Sequence, residues 1–147
     1  MERHQRAQHV LAWIVLLGAA LQFFLAGLAV FRAKPHDNDK LFESSAFDVH
    51  RVVGYAVILV AFALLVQAII NRERIRLALV LFVLTLIQLG LAEAGHSVAA
   101  LGGLHPVNGL LILGFAHMLT RAPGAKHERR GGADEQPRPA ETPAAAD

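Results

Sequence analysis

The stretch Val52–Ile70, VVGYAVILVAFALLVQAII, decides the fold. It runs through a glycine, a tyrosine and a glutamine without one charged residue, at a length close to the roughly 20 residues a helix needs to cross the hydrocarbon core of a bilayer. A surface helix of a soluble bundle would carry a polar face at helical period, and this stretch has none. Three further apolar blocks flank it, Val10–Phe31, Leu77–Ala92 and Leu104–Thr120, and the third reaches spanning length when extended from Ile75 to Ala94. With 54% hydrophobic residues and no cysteine in 147 residues, the composition also lies outside the soluble range. The reading is all-α: a four-helix transmembrane bundle over residues 1–121, with helices near 10–31, 49–70, 75–94 and 104–120. From about Ala122 to Asp147 the chain turns to Pro, Ala, Gly, Glu and Arg without apolar period, which predicts a disordered cytoplasmic tail.

Charge placement predicts the orientation. Arg3 and Arg6 precede the first block, Arg72, Arg74 and Arg76 separate the second from the third, and Arg121, Lys126, Arg129 and Arg130 follow the fourth. On the other side Arg32, Lys34 and Lys40 are offset by Asp37, Asp39, Glu43 and Asp48. The positive-inside rule then puts both termini in the cytoplasm. The first apolar block exceeds an h-region of roughly 7–15 residues, so it is expected to stay as a helix rather than be cleaved. Local signals refine the boundaries. Asp48 suits the N-cap of helix 2. The Asp37-Asn38-Asp39 run reads as a turn. Gly102-Gly103 reads as the end of the second outer connection, and Pro106 as a first-turn residue of helix 4.

A pattern that occurs twice carries the functional reading. His50-x-x-x-Gly54 opens the second helix and His105-x-x-x-Gly109 the fourth, with Ala61 and Ala116 each seven residues beyond the glycine. Gln22-x-x-Leu25-Ala26 in the first helix matches Gln88-x-x-Leu91-Ala92 in the third. The chain thus reads as two parallel helix-hairpin repeats related about the membrane normal. Either histidine alone reads as an interfacial residue hydrogen-bonded to a loop carbonyl. Two at one level, each beside a glycine notch, point to axial ligation of a haem whose ring approaches the backbone where Cβ is missing. The absence of cysteine excludes covalent c-type attachment, so the haem expected is non-covalent, as a b-type haem is.

Other polar residues receive plainer readings. Arg51 pairs with Asp48, or neutralises a haem propionate. Glu93 and His96, three apart on one face near the outer end, read as a local hydrogen-bonded pair or as a proton-handling or metal pair beside the haem, and the local pair is the reading preferred. His117 lies roughly 18 Å deeper than His105 and about 120° around the helix, too far to share its site. Gln22, Gln67 and Gln88 read as interhelical hydrogen-bonding residues.

The segments Phe47–Gly54 (FDVHRVVG) and Leu104–Leu113 (LHPVNGLLIL) resemble a family of small four-helix bacterial membrane proteins of undefined function, over nearly all of Leu11–Thr120. More distantly they are similar to one four-helix half of the haem A synthase family. That resemblance implies His50 and His105 as haem ligands and extends to the His50-Arg51 dipeptide. The synthase's glutamate three residues before the second-helix histidine is Phe47 here, and the chain has one half rather than two. The expectation is therefore a haem protein of electron transfer or haem handling, with His50, His105, Gly54, Gly109 and Arg51 as the site and no catalytic residue assigned. The alternative is a cofactor-free structural or accessory subunit. The expected partners are the lipid bilayer, a membrane redox partner or a second copy of the chain, and no nucleic acid.

Overall fold

The computed structural model describes residues 3–32 and 45–121, with side chains over 5–32 and 47–121. Those residues form four helices and no strand: α1 (Arg3–Arg32), α2 (Ser45–Asn71), α3 (Ile75–Gly95) and α4 (Ala99–Thr120). All four are long and apolar enough to cross a membrane. At about 1.5 Å per residue even α3 spans roughly 32 Å. The protein is a multi-pass membrane protein. The Asp37–Asp39 turn and the tail after residue 121 lie outside the described residues.

Each helix packs on two neighbours, in the ring α1–α2–α3–α4 and back to α1, so α1 faces α3 and α2 faces α4 across the diagonals. Gln8 near the start of α1 donates to the Glu73 carbonyl in the α2–α3 hairpin (3.4 Å), and Arg74 of that hairpin donates to the Met118 and Leu119 carbonyls of α4 (both 3.2 Å). One end of the bundle therefore holds the start of α1, the end of α4 and the hairpin, and the other end is called distal below. The hairpin is tight, as the basic run after Asn71 predicts, and puts Arg72 (φ 55°) and Arg74 (φ 53°) in the left-handed region.

The core occupies the half near the α2–α3 hairpin. Ala12, Val15, Ala61, Leu64, Leu81, Ile112, Ala116 and Leu119 are buried together there, and Leu65, Ala68 and Ala78 form a smaller cluster beside them. Alanines bring the helix backbones close while Leu17, Leu59 and Leu110 face outward at more than half exposure. That is the arrangement of helices packed in lipid, where small residues rather than large ones make the contacts.

Three helix starts differ from the sequence reading, the first being α1, which begins at Arg3 rather than near residue 10. Helix α4 starts at Ala99 rather than near residue 104, so Gly102 and Gly103 are helical. Helix α3 ends against it: a Cβ on Gly95 would lie 2.8 Å from Gly102 Cα, so the two backbones touch, an approach that the missing Cβ of Gly95 permits. Pro106 accordingly sits inside α4, where it withholds an N–H from the Gly102 carbonyl, rather than in the first turn. Helix α2 begins at Ser45, which places Asp48 within the first turn instead of at the cap. Its carboxylate still faces the positive end of the helix dipole.

Candidate functional site

The distal half holds a cavity of about 450 Å³ in place of a packed core. That volume falls within the roughly 300–1,000 Å³ of small-molecule and cofactor sites. Its floor is Val57, Ile58, Thr85 and Ile112, and its walls come from all four helices.

His50 and His105 stand in its wall, each near the second turn of its helix, on the diagonal pair α2 and α4. Their ring centroids are 6.2 Å apart with the planes inclined at 51°. His50 Nδ1–H donates to the backbone carbonyl of Gln22 (3.2 Å), and His105 Nδ1–H to that of Gln88 (3.1 Å). A carbonyl oxygen only accepts, so each bond requires the proton on Nδ1 and leaves a lone pair on Nε2. A ring anchored this way is oriented as metal-ligating histidines are, its far nitrogen free to bind an electron-pair acceptor. Gln22 and Gln88 occupy matching places in the two halves, so both the imidazoles and their anchors obey the repeat.

The repeat extends through the cavity. Residues of α1 and α3 match at an offset of 66, and those of α2 and α4 at an offset of 55. Eighteen of the 23 lining residues form nine pairs at these offsets, among them Ala26 with Ala92, Val57 with Ile112 and Gly54 with Gly109. A cavity built by chance from apolar helices would not return its own lining on rotation.

Gly54 and Gly109 line this cavity, and Ala61 and Ala116 are buried one level below them. The notches are occupied by side chains. A Cβ on Gly54 would lie 2.7 Å from Gln22 Nε2, and one on Gly109 would lie 3.0 Å from Phe23 Cζ and 3.5 Å from Gln88 Nε2. Gly54 thus makes room for the Gln22 carboxamide, and Gly109 chiefly for the Phe23 ring.

Asn108 is the residue that sequence reasoning missed. It is buried, and its Nδ2 donates to the Leu84 carbonyl (2.9 Å) and to Gln88 Oε1 (2.6 Å). The available signal was an asparagine immediately before a notch glycine in an otherwise apolar helix. The equivalent residue in the first half is Val53, and Gln22 Oε1 is buried there without a hydrogen-bond partner. The two halves differ most in this pairing.

Arg51 lies at the cavity mouth and forms an ion pair with Asp48 (3.6 Å), with both side chains more than half exposed. Glu93 and His96 also line the mouth. Among the described residues no group of three or more His, Asp or Glu side chains is gathered for a metal ion. His117 is exposed at the opposite end beside Arg121 Nη2 (3.2 Å), as its depth in the sequence predicts, and His9 accepts from Trp13 Nε1 (3.0 Å).

These features define a class: a membrane-spanning four-helix bundle, built of two helix hairpins, with a cofactor-sized cavity between diagonal histidines. The chain belongs to DUF6220, a family of unknown function, which matches residues 22–95. That span contains Gln22, His50, Gly54 and Gln88 and ends before His105. No curated protein and no solved structure matches the chain.

Proposed function

We propose that this protein binds one b-type haem between His50 and His105 and serves in electron transfer or haem handling. The spacing of the imidazoles carries the reading. Two imidazoles bound end-on through Nε2 to one ion between them, at a metal–nitrogen distance of about 2.0–2.1 Å, would bring their ring centroids to roughly 6 Å. The observed separation is 6.2 Å.

The chain's own residues divide the remaining work. The carbonyls of Gln22 and Gln88 hold the proton on Nδ1 of each imidazole, which orients both rings and leaves Nε2 as the ligating nitrogen of the neutral form. The apolar walls exclude water from the ring faces and favour a low local dielectric. Arg51 stands at the mouth, where its forked donors suit a carboxylate substituent. When bound, such a group supplies one-electron chemistry, its potential tuned by the axial ligands and the burial around it. The likeness to a haem A synthase half enters this proposal only through the ligand pair.

The setting proposed is a bacterial inner membrane with both termini cytoplasmic, which turns the cavity outward. The excess of Arg on the hairpin and chain-end side supports it. Protein expressed with ample haem should purify coloured, with dithionite reduction sharpening the absorption bands as low-spin iron does. A colourless, folded protein would contradict the proposal and leave the accessory-subunit reading. A cysteine at position 38 should be labelled from outside the cell, and labelling only from inside would reverse the orientation.

A further inference from the structure

Five of the 23 residues lining the cavity have no mate in the lining at the repeat offsets, and they mark where it departs from two-fold form. One, Gly95, meets Gly102. The other four, Tyr55 and Ile58 on α2 and Glu93 and His96 on α3, lie on facing ridges. Tyr55, Ile58 and Phe62 follow one another along one face of α2, as Phe82, Leu89, Glu93 and His96 do along one face of α3. The Phe62 and Phe82 rings meet, with centroids 5.5 Å apart. The cavity therefore extends into the α2–α3 seam. The matching places of the α4–α1 seam carry Leu110, Leu113, Gly27 and Val30, none of which lines it.

Tyr55 and Phe62 are 46% and 50% exposed, so this ridge borders the outside of the bundle. Tyr55 lies eight residues inside the apolar span Phe47–Asn71, about 12 Å along the helix and at the depth of hydrocarbon. The extension thus opens sideways to lipid. Two polar groups in it lack a partner among the described residues. The Tyr55 hydroxyl makes no hydrogen bond, and the Glu93 carboxylate makes neither hydrogen bond nor ion pair. A polar group left unpaired away from water is costly, so the two point to a ligand that pairs with both.

We infer that the α2–α3 seam binds a hydroquinone with an apolar tail, its ring between Tyr55 and Glu93 and its tail in lipid. The electron step that follows rests on the haem reading above, and the binding does not. The Phe62–Phe82 contact sets Tyr55 level with Leu89, and Glu93 stands four residues higher, about 6 Å along the axis. The para oxygens of one six-membered ring bridge such a gap. A hydroquinone hydroxyl donates to the carboxylate, and a quinone carbonyl accepts from the Tyr55 hydroxyl, so both redox forms find a partner. Oxidation of hydroquinone to quinone releases two electrons and two protons. Each site has one iron, so one hydroquinone reduces the ferric haems of two protein molecules to ferrous. The protons pass to the Glu93 carboxylate and through the mouth to water.

The test is photoaffinity labelling of the protein in lipid nanodiscs with an azido-quinone bearing a decyl tail. The label should fall on the facing ridges of α2 and α3, and decyl-quinone should suppress it. Even labelling of all four helices, or labelling that no competitor suppresses, would mean partition into lipid and overturn the inference. Competition under anaerobic conditions then separates the two groups. Tyr55→Phe should weaken decyl-quinone about threefold to tenfold, the loss of one hydrogen bond. Glu93→Leu should weaken decyl-hydroquinone at least as much and leave decyl-quinone within about twofold, because an ionised carboxylate only accepts. Leu110→Phe, at the matching place of the other seam, should change neither. Unchanged affinities in both seam variants, with helix content intact by circular dichroism, would also overturn the inference. Decyl-hydroquinone added to ferric holoprotein should reduce two haems per molecule. Seam labelling in a protein without haem absorption would overturn the haem reading and the electron step while supporting the binding.

Discussion

Replacing Gly95 by alanine should destabilise the bundle, although alanine is the better helix former. The added Cβ would stand 2.8 Å from Gly102 Cα and 3.2 Å from Gly102 N. Ordinary carbon–carbon contact is about 3.5–4.0 Å, so α3 and α4 must separate by roughly 0.7 Å or more at this point. The obstructing atoms are backbone, and no rotamer change relieves them. Overpacking of this kind costs about 1–3 kcal/mol. The gain in helix propensity is at most about 1 kcal/mol and is smaller for the last residue of a helix. The net expectation is a loss of about 1–2 kcal/mol. Gly102→Ala should cost less, because its Cβ would meet Gly95 Cα at 3.3 Å, a conflict that a shift of a few tenths of an ångström removes. Gly90→Ala, inside α3 with nothing within 4 Å, should stabilise by up to about 1 kcal/mol. Denaturant titration of detergent-solubilised protein, followed by far-ultraviolet circular dichroism, would rank the three. If Gly95→Ala proves as stable as Gly90→Ala, α3 and α4 do not meet through their backbones at the distal end.

Other substitutions test the hairpin and the polar network. Arg72→Gly should stabilise by about 0.5–1 kcal/mol in the same titration, since a side chain in the left-handed region costs about 1–2 kcal/mol and glycine does not bear that cost. Arg74→Ala should lose about 1 kcal/mol, because the guanidinium satisfies two terminal carbonyls of α4 that otherwise lack partners. Asn108→Leu removes both bonds to α3 and strands the Gln88 oxygen, at a cost of about 1–2 kcal/mol. Asp48→Asn should change stability by less than about 1 kcal/mol, given the exposure of its ion pair with Arg51.

The four helices were legible because membrane length and freedom from charge are properties of composition, which neighbours do not override. The boundaries around α4 were not. Gly102-Gly103 carries the local signature of a loop, and the approach of Gly95 from another helix gives Gly102 a packing role that the local sequence does not show, while Gly103 has open space around it. Pro106 was displaced inward for the same reason. At the site the spacing of His50 and His105 from their glycines announced a repeat, and the cavity lining follows it pairwise. The anchors of those histidines could not be read, because they are backbone carbonyls, and every residue has one. Gln22 and Gln88 were marked for their side chains, yet each also acts through its main chain. Asn108 was passed over since one polar residue in an apolar helix says nothing about its partner until α3 is placed beside it.

The most direct test of the haem reading is electron paramagnetic resonance of the ferric protein, compared across single histidine variants. The unaltered protein should give a low-spin ferric signal, the consequence of two imidazoles on one iron. His50→Ala and His105→Ala should each abolish that signal or convert it to high-spin, because either removal leaves an axial position open. His96→Ala, at the cavity mouth, and His117→Ala, at the opposite end, should keep it. A low-spin signal that survives the loss of His105 and disappears with His96 would contradict the pairing of His50 with His105 across the cavity.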